Sequence, residues 1–144
     1  MPAILLATDA DWIADEVEAA LGEMDTSIRR VRRGEHVLPA VHDVEPDLVI
    51  LDLQIGNMGG MATCMTLRLE EGAGRLPHLP VIMLLDRSAD LFLAQRSDAD
   101  GWLVKPIDSI RLRRAADAVL AGGRWTEGLG ESEHMGAADL GEAV

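Results

Sequence analysis

The sequence predicts a doubly wound α/β fold, in which five parallel strands are covered by helices on both faces. Five short apolar runs recur along the chain, and an amphipathic stretch follows each of them. The runs are apolar throughout instead of alternating with polar residues, which is typical of strands buried on both faces of a parallel sheet. Hydrophobic residues make up 48% of the 144-residue chain, enough for the core of one domain.

The order of these patterns gives five βα units. The predicted strands are residues 4–7, 27–31, 48–51, 81–85 and 101–104. The predicted helices are residues 11–21, 35–43, 61–70 and 88–96, and a last one from residue 108 or 109 to the glycines at 122 and 123. Together these units predict a domain over residues 1–124, followed by an acidic, glycine-rich tail over residues 125–144.

Local signals support the individual assignments. In the first helix Ile13, Val17 and Leu21 recur at helical spacing, and a glycine follows directly as a stop signal. The second strand is flanked by arginines, which predicts a position near the edge of the sheet. Asp108 or Ser109 is suited to cap the last helix.

Charge and composition exclude several functions. The net charge of −12 and the isoelectric point of about 4.6 repel nucleic acids and anionic membranes, so we expect no direct contact with either. The N-terminus lacks the pattern of a signal peptide, and no apolar run reaches membrane-spanning length. The lone Cys64 cannot form an intrachain disulfide. We therefore expect a cytoplasmic protein.

Three ionisable residues lie at the carboxyl ends of predicted strands: Asp9, Asp52 and Lys105. Ligands of open parallel sheets bind outside the carboxyl ends of the strands, so we expect these side chains to converge. Two converging carboxylates repel each other unless a cation lies between them, and Mg²⁺ suits such oxygen ligands. Lys105 is the only lysine among thirteen basic residues, and its compact ammonium suits a single oxygen of a phosphate or carboxylate. A carboxylate beside such a metal, with a lysine nearby, can attack a phosphoryl group and become an acyl phosphate.

Several segments carry a specific resemblance. Residues 46–53 read PDLVILDL and are followed by Gly59-Gly60, residues 80–84 read PVIML, and residues 100–106 read DGWLVKP. In this order and spacing they resemble the receiver (CheY-like) domain of bacterial two-component response regulators, over about residues 3–121. The resemblance implies a flavodoxin-like (βα)5 fold with strand order 2-1-3-4-5.

The resemblance also implies roles for the site residues. Asp52 is the expected phosphoacceptor, and a histidine kinase or phosphotransfer protein is the expected donor. Asp9, Asp52 and the backbone carbonyl of Gln54 are the expected ligands of Mg²⁺. Lys105 is expected to contact the phosphoryl group, and its bond to Pro106 is expected to be cis.

The sequence departs from the family pattern at three positions. Thr8 stands where the first of two adjacent acids is usual, and Asp11 lies too far along to replace it. Gly56 replaces a proline. Leu85 stands where a hydroxyl residue usually contacts the phosphoryl oxygen and transmits the signal. Trp102 occupies the position of the switch aromatic, whereas we expect Thr8 to be merely structural.

These features support one leading hypothesis and two alternatives. The leading hypothesis is a stand-alone receiver, not an enzyme, that signals through an unidentified output protein or a homodimer. The first alternative is a pseudo-receiver that binds proteins without phosphorylation. The second is another protein of flavodoxin-like topology, such as a flavin carrier or a haloacid-dehalogenase-type phosphatase. Such a phosphatase would require an acid at Gln54.

Overall fold

The computed structural model describes residues 2–22 and 25–127 of the chain. Its strands are β1 (Ala3–Ala7), β2 (Ser27–Val31), β3 (Leu48–Asp52), β4 (Val81–Leu85) and β5 (Gly101–Val104). Its helices are α1 (Asp11–Leu21), α2 (Val37–Val44), α3 (Gly60–Gly72), α4 (Leu91–Arg96) and α5 (Ser109–Leu120). None of these helices is long and apolar enough to cross a membrane.

All five strands form one parallel sheet in the order β2-β1-β3-β4-β5. The predicted doubly wound, flavodoxin-like fold and its strand order are confirmed, and β2 lies at an edge as its flanking arginines indicate. Helices α1 and α5 cover one face of the sheet, and α2, α3 and α4 cover the other. The central strands are therefore screened from water on both sides.

The core consists of two aliphatic layers that share the strands. In β3, Leu48 and Ile50 pack toward α1 and α5, whereas Val49 and Leu51 pack toward α2, α3 and α4. Every residue of β3 and β4 is buried, and apart from Asp52 at the end of β3 all of them are apolar. This two-sided burial is the reason that the strands read as continuous apolar runs.

Two predicted helices begin differently in the structure. The helix predicted over residues 35–43 opens with a 3₁₀ turn, Gly34–His36, before α2, and the helix predicted over 88–96 opens with another, Ser88–Asp90, before α4. The first turn is fixed by tertiary contact, since the Gly34 amide donates to Gly56 O at 3.1 Å. A Cβ at Gly34 would lie 1.7 Å from the backbone oxygen of Met58, so only glycine fits there.

The last helix and the segment after it pack against β5. Asp108 caps α5 and accepts a hydrogen bond from the Arg111 amide at 2.9 Å, as predicted. The chain then passes alongside the last strand, where the Trp102 amide donates to the Trp125 carbonyl at 2.9 Å. Residues 125–127 of the predicted tail thus extend the edge of the sheet. Residues 128–144 lie outside the described residues.

The buried thiol of Cys64 gives a first prediction. Cys64 lies in α3 with no exposed surface, and burial raises the pKa of its thiol to about 11. The thiolate is the reactive form, so we expect no reaction with a disulfide reagent at pH 8 in the folded protein and complete reaction in denaturant. Fast labelling of the folded protein at pH 8 would contradict this placement.

The same shift makes stability depend on pH. The folded state holds the Cys64 proton more tightly than the unfolded chain, whose thiol titrates near 9.0. The stabilisation is complete below pH 9 and is lost as pH rises toward 11. We expect the stability advantage of the wild type over Cys64→Ala to fall by about 2–3 kcal/mol across this range. Urea denaturation of both proteins at several pH values measures the difference.

Candidate functional site

The carboxyl ends of β1, β3, β4 and β5 bring polar residues to one edge of the sheet. These strands are neighbours in register, with Ala7 beside Leu51 and Asp52 beside Leu84. The residues at or just after the strand ends are Thr8, Asp9, Asp52, Asp86 and Lys105. The sheet order thus assembles a polar site from four separate parts of the sequence, as expected for this topology.

Asp52 is the buried centre of the site. Its side chain is only 3% exposed, and both of its carboxylate oxygens accept hydrogen bonds. Oδ1 accepts from Lys105 Nζ at 2.8 Å and from the Gln54 amide at 3.1 Å. Oδ2 accepts from the Thr8 hydroxyl at 2.8 Å. These donors compensate the free-energy cost of burying an ionised carboxylate.

Lys105 joins two carboxylates. Its ammonium lies 2.8 Å from Asp52 Oδ1 and 2.8 Å from Asp86 Oδ1, and its backbone amide donates to Leu85 O. Burial lowers the pKa of this ammonium, but the hydrogen bonds with Asp52 and Asp86 outweigh burial and place the pKa above its ordinary value. Lys105 is therefore a charged donor to the Asp52 carboxylate. The bond to Pro106 is cis, as predicted.

The predicted Mg²⁺ ligands offer a small set of hard oxygen donors. Asp9 is exposed at the end of β1, and its Oδ2 accepts from the Gly56 amide at 3.3 Å, so it faces the loop after β3. Gln54 lies in that loop beside Asp52. Among the described residues, no three or more His, Cys, Asp or Glu form a cluster that could hold a metal. Two carboxylates and a carbonyl suit Mg²⁺, which keeps several waters.

Thr8 has a contact that the sequence did not indicate. We expected it to be merely structural, yet its hydroxyl contacts Asp52 Oδ2 and also accepts from the Ala10 amide at 3.1 Å. It therefore supplies a neutral donor where the family usually has an acid. Asp11 does not replace that acid, because its Oδ1 pairs with Arg30 and Arg32 on the surface.

Asp86 is the residue that sequence reasoning passed over. The rule that selected Asp9 and Lys105, the first ionisable position after an apolar run, also applies to Asp86 after β4. It lies beside the fully buried Leu85, which has no group to hydrogen-bond a phosphoryl oxygen. Trp102 is 2% exposed, and its indole Nε1 donates to the Glu127 carbonyl at 2.7 Å. Its switch role stays a prediction.

Comparison with known protein families identifies the family of this chain. The response regulator receiver domain family matches residues 4–117. The chain belongs to this family. The receiver is 30% identical over 146 residues to the transcriptional regulatory protein AfsQ1 of Streptomyces coelicolor, covering 100% of this chain and 59% of that protein. It is 34% identical over 107 residues to the DNA-binding response regulator MtrA of Mycolicibacterium smegmatis, covering 72% and 43%.

Solved structures confirm the receiver fold. The receiver domain of a signal transduction histidine kinase from Syntrophus aciditrophicus superposes with a TM-score of 0.74 at 26% identity, covering 96% of this chain and 99% of that one. The chemotaxis response regulator CheY4 of Vibrio cholerae superposes with a TM-score of 0.73 at 21% identity, covering 83% and 98%. The latter similarity concerns the fold alone.

The ion pair at the centre of the receiver gives a prediction about stability. Lys105→Ala leaves the buried Asp52 without its cation, and breaking a buried pair in this way costs about 3–5 kcal/mol. Asp86 is 33% exposed, so Asp86→Ala is expected to cost less than about 1 kcal/mol. Urea denaturation without divalent cations measures both.

A double variant separates lost charge compensation from lost packing. In an Asp52→Asn background the buried charge is absent, so Lys105→Ala is expected to cost much less than in the wild type. Equal losses in the two backgrounds would mean that Lys105 stabilises the fold through its methylene packing and not through Asp52.

Proposed function

We propose that this receiver accepts a phosphoryl group on Asp52, with Mg²⁺, from a histidine kinase or a phosphotransfer protein. The observation that carries the proposal is the 2.8 Å contact between Lys105 Nζ and Asp52 Oδ1 at the carboxyl end of β3. A buried carboxylate with a fixed ammonium beside it combines a nucleophile with a charge that stabilises the transferred group.

The transfer forms one bond and breaks another. An Asp52 carboxylate oxygen bonds to phosphorus while the bond from phosphorus to the donor's imidazole nitrogen breaks, and that nitrogen keeps the electron pair. The product is an acyl phosphate on Asp52. Lys105 offsets charge on the phosphoryl oxygens in the product, and Mg²⁺, when bound, supplies further charge compensation. The receiver is thus modified itself and does not turn over a substrate.

The metal ligands that we propose are Asp9, Asp52 and the carbonyl of Gln54. Asp9 is exposed and faces the loop that carries Gln54, which supports their cooperation. Thr8 contributes no charge, so we expect Mg²⁺ to bind less tightly here than in a receiver with two adjacent acids.

A second candidate function is a pseudo-receiver that binds proteins without phosphorylation. The hydrogen bonding of Asp52 favours it: Lys105, the Gln54 amide and Thr8 already engage both carboxylate oxygens, and the side chain is 3% exposed. A phosphoryl donor must displace part of this arrangement. On this hypothesis Asp52→Asn binds the partner protein as well as the wild type does.

The location and the signalling partners of this receiver are part of the same proposal. The chain covers 59% and 43% of the lengths of AfsQ1 and MtrA, which are described as a transcriptional regulator and a DNA-binding response regulator. We propose that this receiver acts in the cytoplasm and signals by protein contacts, either with an output protein or as a homodimer. The net charge of −12 argues against direct contact with nucleic acid.

Labelling with acetyl phosphate and Mg²⁺ tests the nucleophile. We expect an acid-stable but base-labile acyl phosphate in the wild type and none in Asp52→Ala. The matched control is Asp47→Ala, because Asp47 is an exposed acid at the opposite end of the same strand, where it accepts from the Ala3 amide. Full labelling of Asp52→Ala would contradict the assignment, and absence of labelling in the folded wild type would favour the pseudo-receiver.

The role of Asp9 is tested by the dependence of labelling on Mg²⁺. Asp9→Asn is expected to raise the Mg²⁺ concentration for half-maximal labelling roughly tenfold, because one carboxylate's attraction for the divalent ion in an exposed site is worth about 1–2 kcal/mol. Asp11→Asn is the control, since Asp11 is paired with Arg30 and Arg32. An equal shift in both variants would indicate a general charge effect.

A further inference from the structure

The segment Trp125–Glu127, called here the C-terminal clamp, covers the outer edge of β5. The Trp102 amide donates to the Trp125 carbonyl at 2.9 Å, and the Val104 amide donates to Glu127 Oε1 at 3.2 Å. The Trp125 amide donates in turn to Asp100 O at 3.3 Å. The clamp thus satisfies donors that an uncovered edge strand would leave to water or to another chain.

Glu127 is the centre of the clamp. Its carboxylate is 15% exposed and accepts from both sides: Oε2 from the Trp125 indole at 3.1 Å and from Arg111 Nε at 2.8 Å, and Oε1 from Arg111 Nη2. Its backbone carbonyl accepts from the Trp102 indole at 2.7 Å. Both tryptophans at this edge are therefore held by one residue, and the Trp102 ring cannot turn while that bond persists.

Arg111 connects the clamp to the turn that carries Lys105. Besides Glu127, its guanidinium donates to Val104 O at 2.9 Å and to Pro106 O at 2.9 Å. These two carbonyls flank Lys105 on either side. The guanidinium also donates to Asp108 Oδ2 at 3.2 Å. A planar guanidinium that binds four partners at once fixes their relative position, which a lysine could not do. Arg111 therefore holds the backbone from which the Lys105 side chain reaches Asp52.

The contacts of Lys105 and Arg111 connect Asp52 to the clamp, whereas the hydroxyl that usually transmits the signal in this family is absent. Leu85 has no hydroxyl to follow a phosphoryl oxygen, whereas Lys105 contacts Asp52 directly. A phosphoryl group on Asp52 adds charge and three acceptor oxygens. These oxygens compete with Asp86 for the ammonium of Lys105. When the ammonium shifts toward them, the backbone of the turn between Val104 and Pro106 shifts as well.

We propose that Arg111 and Glu127 are positioning residues for Lys105, and that phosphorylation of Asp52 loosens the C-terminal clamp through this turn. The inference rests on the proposed function and deepens it, since it assigns a read-out element to the same site. Coupling of this kind is reciprocal, so a change at either end shifts the equilibrium at the other. Release of the clamp uncovers the outward-facing amides of Trp102 and Val104.

The test uses the indole N–H signals of the isotope-labelled full chain in nuclear magnetic resonance. The chain has three tryptophans: Trp102 and Trp125 donate to Glu127, whereas Trp12 lies on α1 with 52% of its surface exposed. Phosphorylation by acetyl phosphate and Mg²⁺ is expected to move the first two signals and to leave the third in place. Intact mass measures the phosphorylated fraction of the same sample.

Hydrogen exchange of the backbone amides measures how far phosphorylation loosens the clamp. For coupling of ordinary strength, we expect the Trp102 and Val104 amides to exchange about 5- to 150-fold faster after phosphorylation. The Val49 amide, which donates to Pro80 O at 2.9 Å inside the sheet and away from the site, is the internal control. Phosphorylation at Asp52 with unchanged indole signals and unchanged exchange would overturn the proposal, because a clamp with a merely structural role does not respond to Asp52.

Variants separate failure of this inference from failure of the proposed function. Asp52→Asn removes one of the two charged partners of Lys105 without phosphorylation and leaves Asp86, and it is expected to move the same two indole signals. If the wild type is not phosphorylated, the proposed function fails, and unchanged signals in Asp52→Asn then overturn the clamp as well. Arg111→Lys is expected to abolish the response, whereas Arg114→Lys, at an exposed site of the same helix, keeps it.

Discussion

The ammonium of Lys105, held between the carboxylates of Asp52 and Asp86, is the interaction on which the site depends. Asp52 is almost fully buried, and an ionised carboxylate tolerates such burial only with a cation and further donors in contact. The sheet order supplies these groups, because β3, β4 and β5 are neighbours and end at the same edge. The fold therefore brings a buried carboxylate and its counter-ion together at one edge of the sheet.

The fold was largely predictable, since two-sided burial leaves a clear signal in the sequence. Strands such as β3 and β4 have no solvated face, so their apolar runs are unbroken and their ends are sharp. The helix starts were less predictable. The 3₁₀ turn at Gly34 exists because its backbone contacts the loop after β3, residues 56–58, and local sequence carries no sign of that distant contact.

The site was predictable where position along a strand determines the chemistry. Asp52 and Lys105 follow apolar runs, and the structure brings them together. The same rule should have selected Asp86. Thr8 is different, because its hydroxyl meets Asp52 only through the pairing of β1 with β3, and a threonine at a strand end is usually unremarkable. The metal roles of Asp9 and Gln54 stay predictions.

Leu85 stands where the family usually has a hydroxyl residue. Its side chain is aliphatic and fully buried, so it offers no hydrogen bond to Asp52 or to a group bound there. In the described part of the chain, Lys105 contacts Asp52 and Asp86 by charge and lies in a turn held by Arg111. Partly buried charges are screened less by salt than exposed ones. Among the described residues, the side-chain contacts of Asp52 are therefore an ion pair and hydrogen bonds, and none of them runs through the side chain of residue 85.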